Sequence, residues 1–332
     1  MKLNLLSRYR TQLMGVAILW VMFFHSHLPT EFSGILDFLK KMGYGGVDIF
    51  MLVSGFGVYY SISKDGSTKN FYIRRAIRIL PYYLPVVLIV TIIANIVGFW
   101  NPIAFFYNLT TLGFWLNVGL MNIYDWFIPA LISIYLFTPL FYKFFKINKT
   151  ISTLIVILGA YIFSYLSEGI FDYLYNFTFR IPLYIMGFWL ADFLKNHKDY
   201  KLSKTMISLI IVSFIFGVIL LCYLYYFTSV FSIYGNYLLP FIFITLPLCM
   251  FLCYNFSLFP NYKFPILTFL GSHSLTLFIF HEKILFLCSL FTKSIFSDII
   301  AFILTIILAY YWQKMVDKII EKYMLKKNKQ TL

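Results

Sequence analysis

Charge is scarce in this chain. Asp, Glu, Lys and Arg make up 12% of its 332 residues, about half the share of an ordinary soluble domain, and that shortage excludes one. Acids are scarcer than bases: 13 Asp and Glu face 27 Lys and Arg, for a formal charge of +14. The excess does not form the continuous basic surface that a nucleic-acid partner requires. It falls in short stretches between apolar runs, which points to membrane topology and anionic lipid head groups. Cysteines are few as well, and Cys222, Cys249, Cys253 and Cys288 all lie inside apolar segments. The Cys249-x3-Cys253 spacing has no ligand partners, so these read as small hydrophobes and not as a zinc site. An internal repeat, a soluble domain and a low-complexity linker are also missing. Lys2, Arg8 and Arg10 precede the first apolar run as basic residues do in a secretory signal, but no small-x-small cleavage site follows where the chain reads HSHLPTEF. A retained first span is expected.

What fills the chain is hydrocarbon: 61% of the residues are hydrophobic and 22% aromatic. The apolar runs reach roughly 18 residues or more, the length a bilayer core demands. The pattern predicts an all-α, polytopic membrane protein with about ten spans, at 11–28, 44–62, 80–98, 124–144, 151–167, 173–194, 204–227, 234–256, 264–290 and 297–320. Odd-to-even connections are poor in Lys and Arg, GILDFLKKMG being the richest. Even-to-odd connections are basic: KDGSTKNFYIRRAIR, KFFKINK, KNHKDYKLSK and NYK. Because Lys and Arg stay cytoplasmic, both termini are expected inside. That leaves one transmembrane domain over 1–323 and a basic cytoplasmic tail over 324–332. Segment 99–123 is interrupted by Asn101-Pro102, Gly113, Asn117 and Gly119. Counting it as a span would invert every later loop, so it reads as an external, interfacial or re-entrant stretch.

Depth follows from topology. His25 lies about 15 residues past Arg10, roughly 22 Å along a helix, in the outer part of the core. Asp48 opens the second span from the outer side. His281 sits at a similar depth in the ninth span with Glu282 beside it, and Arg180 is expected about two turns into the sixth. Ionisable groups inside a bilayer cost about 3 kcal/mol each on insertion scales and face a cavity or one another. His25 and Asp48 are therefore the catalytic candidates, with Arg180 and His281 on the substrate side. His281 serves equally well as a helix–helix contact, and His27 as an interfacial anchor. A metal is not expected, since His25 and His27 point to different helix faces and no carboxylate is spaced to join them. On the inner side, Arg74 and Arg78 stand four apart and Arg75 and Arg78 three apart, one face of a helix. Guanidinium forks suit phosphates, and ordinary positive-inside anchoring explains them as well.

LMGVAILWVMFFHSH, GGVDIFMLVSGFGVYY and FYIRRAIRILPYYLP, in this order and at these spacings, resemble the membrane acyltransferase 3 family, integral membrane O-acyltransferases of cell-envelope polysaccharides. YDWFIPALISIYLFTPLF, which carries Trp126, is similar to the family's fourth-span pattern of Trp-Phe followed by Tyr and Pro. GSHSLTLFIFHEKIL is similar to its late Ser…Tyr-Leu-x-x-His segment, with Leu277-Phe278 in place of Tyr-Leu. The resemblance covers essentially the whole chain. It implies that His25 is the catalytic base and that Arg74, Arg75 and Arg78 correspond to the basic motif associated with acyl-coenzyme A. Asp48 and Ser54-Gly55 match positions of the second-span motif, and Trp126 is placed with Arg180 and His281 as substrate-binding. The family commonly has an arginine eleven residues before its histidine; here that position is Met14, with Arg10 one turn earlier.

The expected activity is transfer of an acyl group, acetyl above all, from cytoplasmic acyl-CoA to a hydroxyl of an extracytoplasmic polysaccharide or lipid-linked glycan. His25 would take the hydroxyl proton while Asp48 orients the imidazole or stabilises imidazolium. A covalent acyl-histidine relay is the other route. Trp100, Tyr107, Asn108 and Trp115 are where a glycan would rest, although an aromatic belt accounts for them too. A transporter or flippase for a lipid-linked glycan is the rival reading, disfavoured by the lack of a two-halves repeat. A member without activity, serving as a scaffold, is the third. The expected location is the cell membrane, multi-pass, with homo-oligomerisation left open.

Overall fold

The computed structural model describes residues 1–30, 33–96, 98, 102–116, 126–167, 174–228, 237–291 and 294–330. Among them the chain is helical apart from turns and one isolated bridge, Lys2 to Lys201. In chain order the helices are α1 (Leu5–Arg8), α2 (Arg10–His25), α3 (Gly34–Lys41), α4 (Gly45–Ser63), α5 (Thr68–Ile96), α6 (Pro102–Leu109), α7 (Phe127–Ile147) and α8 (Lys149–Leu166). They continue as α9 (Tyr175–Thr178), α10 (Ile181–Asn196), α11 (Lys204–Phe227), α12 (Leu239–Ser257), α13 (Pro265–Ser272), α14 (Ser274–Ser289) and α15 (Ile295–Gln330).

Eight stretches are long and apolar enough to cross a bilayer: α4, α5, α7, α8, α9 with α10, α11, α12 and α15. They coincide with eight of the ten expected spans. The remaining two, 11–28 and 264–290, form helices of 16 residues, α2 and α14. At 1.5 Å per residue each is about 24 Å long, against about 30 Å of hydrocarbon. The ninth run divides because α13 stops at Ser272 and α14 starts afresh after His273. The first ends at His25, where the Ser26 hydroxyl folds back onto the Phe23 carbonyl at 2.8 Å. Pro29, just beyond, disfavours a continued helix. Within 99–123, α6 has eight residues, far too few to span.

Local chemistry sets the other boundaries. Ser67, Asn148, Ser203 and Ser294 accept backbone N–H groups from Asn70, Ile151, Met206 and Ser297 at 2.9–3.2 Å, capping α5, α8, α11 and α15. Threonines inside apolar helices satisfy themselves: Thr91, Thr245 and Thr305 donate to carbonyls four residues back at 2.7–2.8 Å.

The chain divides into two compact units, 1–21 with 39–66 and 137–272, and 22–38 with 67–136 and 273–332. Parts of α2, α3 and α7 belong to each. In the first unit α4 is the central element, with fourteen of its nineteen residues buried, whereas Ser152 is the one buried residue of α8. Ile151, Leu154, Ile155, Leu158 and Ile162 of α8 stand exposed, a surface suited to lipid rather than water. Lipid gives helices no hydrophobic reason to associate, so close backbone approach matters more. A Cβ added to Gly55 of α4 would lie 1.9 Å from the Tyr184 carbonyl oxygen of α10, and one on Gly187 of α10 would lie 2.2 Å from the Leu52 carbonyl oxygen. At the far end of α10, Asp192 accepts from Tyr59, Lys146 and Lys149, so two lysines of the basic KFFKINK stretch close on one buried carboxylate.

In the second unit α14 packs along α15, and both touch α5. Tyr82 of α5 donates its hydroxyl to Asp317 at 2.5 Å, Trp312 donates to the Tyr82 carbonyl at 3.0 Å, and Thr276 donates to Gln313 at 3.2 Å.

Gly55→Ala and Gly187→Ala should each lower the melting temperature of detergent-solubilised protein, by an overpacking cost of about 1–3 kcal/mol, because the opposing atoms are backbone. Gly159→Ala, on α8 where an added Cβ meets nothing within 4 Å, should be neutral or stabilising by up to about 1 kcal/mol. Equal melting temperatures for all three variants, measured by scanning fluorimetry, would overturn this account of the α4–α10 spacing.

Candidate active site

His25, the last residue of α2, meets Glu282 of α14: imidazole Nε2 and carboxylate Oε1 are 3.0 Å apart, and both side chains stay partly exposed, at 32% and 24%. A carboxylate accepts, so Nε2 carries the proton, and the neutral ring presents its lone pair at Nδ1. Beside it stands His281, fully buried, with ring centroids 5.2 Å apart at 69°. The Nδ1 of His281 lies 2.7 Å from the Phe278 carbonyl oxygen. That oxygen only accepts, so Nδ1 holds the hydrogen and the lone pair of neutral His281 is on Nε2. Nε2 has no hydrogen-bond partner among the described residues. The end of α2 and the middle of α14 thus bring two imidazoles with fixed tautomers to one carboxylate.

An aromatic wall backs this cluster. Phe278 contacts His281 at 5.2 Å between centroids, Phe127 stacks obliquely on Phe278 at 4.3 Å, and Trp126 meets Phe127 edge-on at 5.8 Å. Trp126 and His281, widely separated in sequence, therefore belong to one continuous surface. His27 reads from sequence as an interfacial anchor. In the structure its backbone N–H donates to Asp298 Oδ2 at 2.5 Å and its Nδ1 lies 3.0 Å from Oδ1, tying the turn after α2 to the first turn of α15.

The sequence reading offered Asp48 as the group that orients His25. The carboxylate found at that imidazole is Glu282, and Asp48 is engaged by Arg180, whose Nε stands 3.3 Å from Oδ1. Both members of the latter pair are 1% exposed. Arg180 also donates to the carbonyls of Asn176 at 2.7 Å and Tyr44 at 3.3 Å, and the Tyr237 hydroxyl donates to the Asn176 side chain at 3.0 Å. Arg180, expected about two turns inside the sixth span, lies within the apolar stretch Tyr175–Asn196 at the start of α10, where Pro182 favours a helix beginning. The Asp48–Arg180 pair has the form of a buried clamp between α4 and α10.

Arg74, Arg75 and Arg78 lie in the first three turns of α5, as a continuous helix requires. They are not equivalent. Arg75 sits 5.5 Å from the ring centre of Tyr135 and 5.7 Å from that of Phe71, a cation–π site. Arg74 is half-buried, and Arg78 is exposed. Tyr72 holds this part of α5 by donating to the Leu136 carbonyl at 2.8 Å. Of the aromatic and amide residues expected to support a glycan, Trp100 lies outside the described residues. Asn108 is buried and donates to the Ala104 carbonyl at 2.7 Å, an intrahelical role. Arg10, one turn before Met14, reaches α4: a Cβ on Gly57 would come within 2.8 Å of its Nη1.

Glu282 is the residue that sequence reading left without a role. The signal was present, since a carboxylate inside the apolar run FIFHEKIL is costly unless partnered, but its partner is some 250 positions away. The ground for setting a metal aside concerned His25 and His27 alone, and His27 lies in the turn beyond α2. The fold supplies what they lacked from another helix, because one ligand atom each of His25, His281 and Glu282 lie within 4.8 Å of one another.

Paired, tautomer-fixed imidazoles on short apolar helices, in a chain whose other helices reach membrane length, are what a membrane-embedded enzyme of acid–base chemistry needs. The acyltransferase 3 family model, described as an acyltransferase domain, matches residues 12–312, nearly the whole chain and every residue discussed above as a site candidate. The protein belongs to that family and is a membrane acyltransferase. No curated protein and no solved structure matches the chain.

Removing one member of a buried ion pair strands the other charge at about 3–5 kcal/mol. Asp48→Ala and Arg180→Ala should each lower the melting temperature strongly, and the double variant should lose less than their sum. Additive losses in that double-mutant cycle would show that the pair is not coupled.

Proposed function

We propose that the protein is an acyl-CoA-dependent O-acyltransferase, with acetyl as the group transferred, acting on a hydroxyl of an extracytoplasmic polysaccharide or lipid-linked glycan at the cell membrane. The observation that carries the reading is the 3.0 Å pairing of His25 with Glu282 at the end of α2. It leaves an oriented imidazole with a free lone pair and a carboxylate that stabilises imidazolium once formed.

The chemistry balances on this dyad. His25 Nδ1 takes the proton of the glycan hydroxyl as its oxygen attacks the thioester carbonyl. The C–O bond forms, the C–S bond breaks, and the departing coenzyme A thiolate recovers the proton from imidazolium. Glu282 plays the orienting part that the sequence reading assigned to Asp48. It holds Nε2–H so that Nδ1 is the basic atom. The Trp126–Phe127–Phe278 wall offers an apolar face for the sugar ring, with the buried His281 packed against Phe278 behind it. Arg74 and Arg78 serve the coenzyme A phosphates, since paired N–H groups meet paired phosphate oxygens. Arg75 is held against Tyr135 and Phe71 at the rim of that site. Acyl-coenzyme A is charged and stays in water, so the arginines sit where the expected topology places cytoplasm.

His25→Ala should cut acylation of envelope glycan by about 10²–10⁴-fold, with the amount of protein in the membrane unchanged; Glu282→Gln should fall between that variant and wild type. Mass spectrometry of the glycan reads both, and full acylation by His25→Ala would remove the imidazole from the mechanism. Arg78→Gln should raise KM for acyl-CoA about tenfold or more, as loss of a charge-assisted contact does, with kcat little altered. An unchanged KM in steady-state kinetics would reduce Arg78 to a topology anchor.

A further inference from the structure

His281 carries more than a packing contact requires. Its Nδ1–H is committed to the Phe278 carbonyl, its ring is fully buried, and its Nε2 lone pair has no partner among the described residues. Metal-binding histidines are held in this way, one nitrogen fixed by a carbonyl or carboxylate so that the other is presented to the ion. The other two donors are in place: His25 Nε2 and Glu282 Oε1 are 3.0 Å apart, and with His281 the ligand atoms fall within 4.8 Å of one another. Two imidazoles and one carboxylate form a donor set that suits a zinc-type cation, with the fourth position open. Tetrahedral bonds of about 2.1 Å set the donors about 3.4 Å apart, so side-chain rotations of roughly 1 Å close the set.

We infer that His25, His281 and Glu282 form a binding site for a zinc-type divalent cation, and that its occupation switches acyl transfer off. The cation takes the place of the hydrogen on His25 Nε2, and that hydrogen is delivered through solvent to Nδ1, so the ring stays neutral and the lone pair that serves as the base is covered. The carboxylate then neutralises the cation instead of imidazolium, and a metal-bound imidazole no longer accepts a proton to any useful extent. The inhibitory half rests on His25 being the base; the binding half does not.

The test uses full-length protein purified in detergent, stripped with chelator and dialysed against zinc chloride. Wild type should retain one zinc per chain and show a melting temperature that rises with zinc concentration. His281→Ala and Glu282→Gln should weaken binding at least tenfold and lose that rise, while His197→Ala and His273→Ala keep both. His281→Gln serves where the alanine variant does not fold. Equal zinc content in wild type, His281→Gln and Glu282→Gln overturns the site. Zinc bound at this cluster with acyl transfer undiminished overturns the inhibitory role. Because binding is read without acyl donor, it stands even if His25→Ala proves active.

Discussion

The hydrogen bond between His25 and Glu282 joins the C-terminal end of one short apolar helix to the middle of another. The pairing also decides chemistry, because it selects which nitrogen of His25 bears hydrogen. The neighbouring His281 has its tautomer set by a different acceptor, the Phe278 carbonyl. Two imidazoles with opposite presentations therefore face a single carboxylate, backed by aromatic rings that need no hydrogen bonds of their own.

The same constraint governs the rest of the molecule. Asp48 meets Arg180, Asp192 meets Lys146, Lys149 and Tyr59, Asp298 meets His27, and Asp317 meets Tyr82. Each acid links elements far apart in sequence. Such contacts contribute little net stability relative to apolar packing, and their value lies in allowing one register only. Between them, glycines let backbones touch, as at Gly55 and Gly187, where lipid supplies no force of its own. A framework built in this way holds a few polar groups rigidly without paying for a soluble core.

Much of this was legible in the residues. The spans could be laid out from apolar runs because bilayer thickness imposes a length, and eight of them appear as helices that satisfy it. The 99–123 stretch reads as non-spanning from Asn101-Pro102 and its glycines, and α6 is a short helix there. Arg74, Arg75 and Arg78 do share one helix. What misled was pairing by estimated depth. Run lengths and charge placement set Asp48 and His25 at similar expected depths, but depth constrains one coordinate only, and each has a different partner.

By itself, the sequence determined the solvent, the helical class, the order of the spans and the family, since these follow from run length, charge placement and short motifs read along one dimension. Tertiary structure alone decided that Glu282 pairs with His25, that Asp48 belongs to Arg180, that Arg75 is sheltered by aromatic rings, and that His281 is buried beside the same carboxylate. Those facts concern which helix faces meet, and rotation of a helix about its axis is set by its neighbours, not by the residues it carries in isolation.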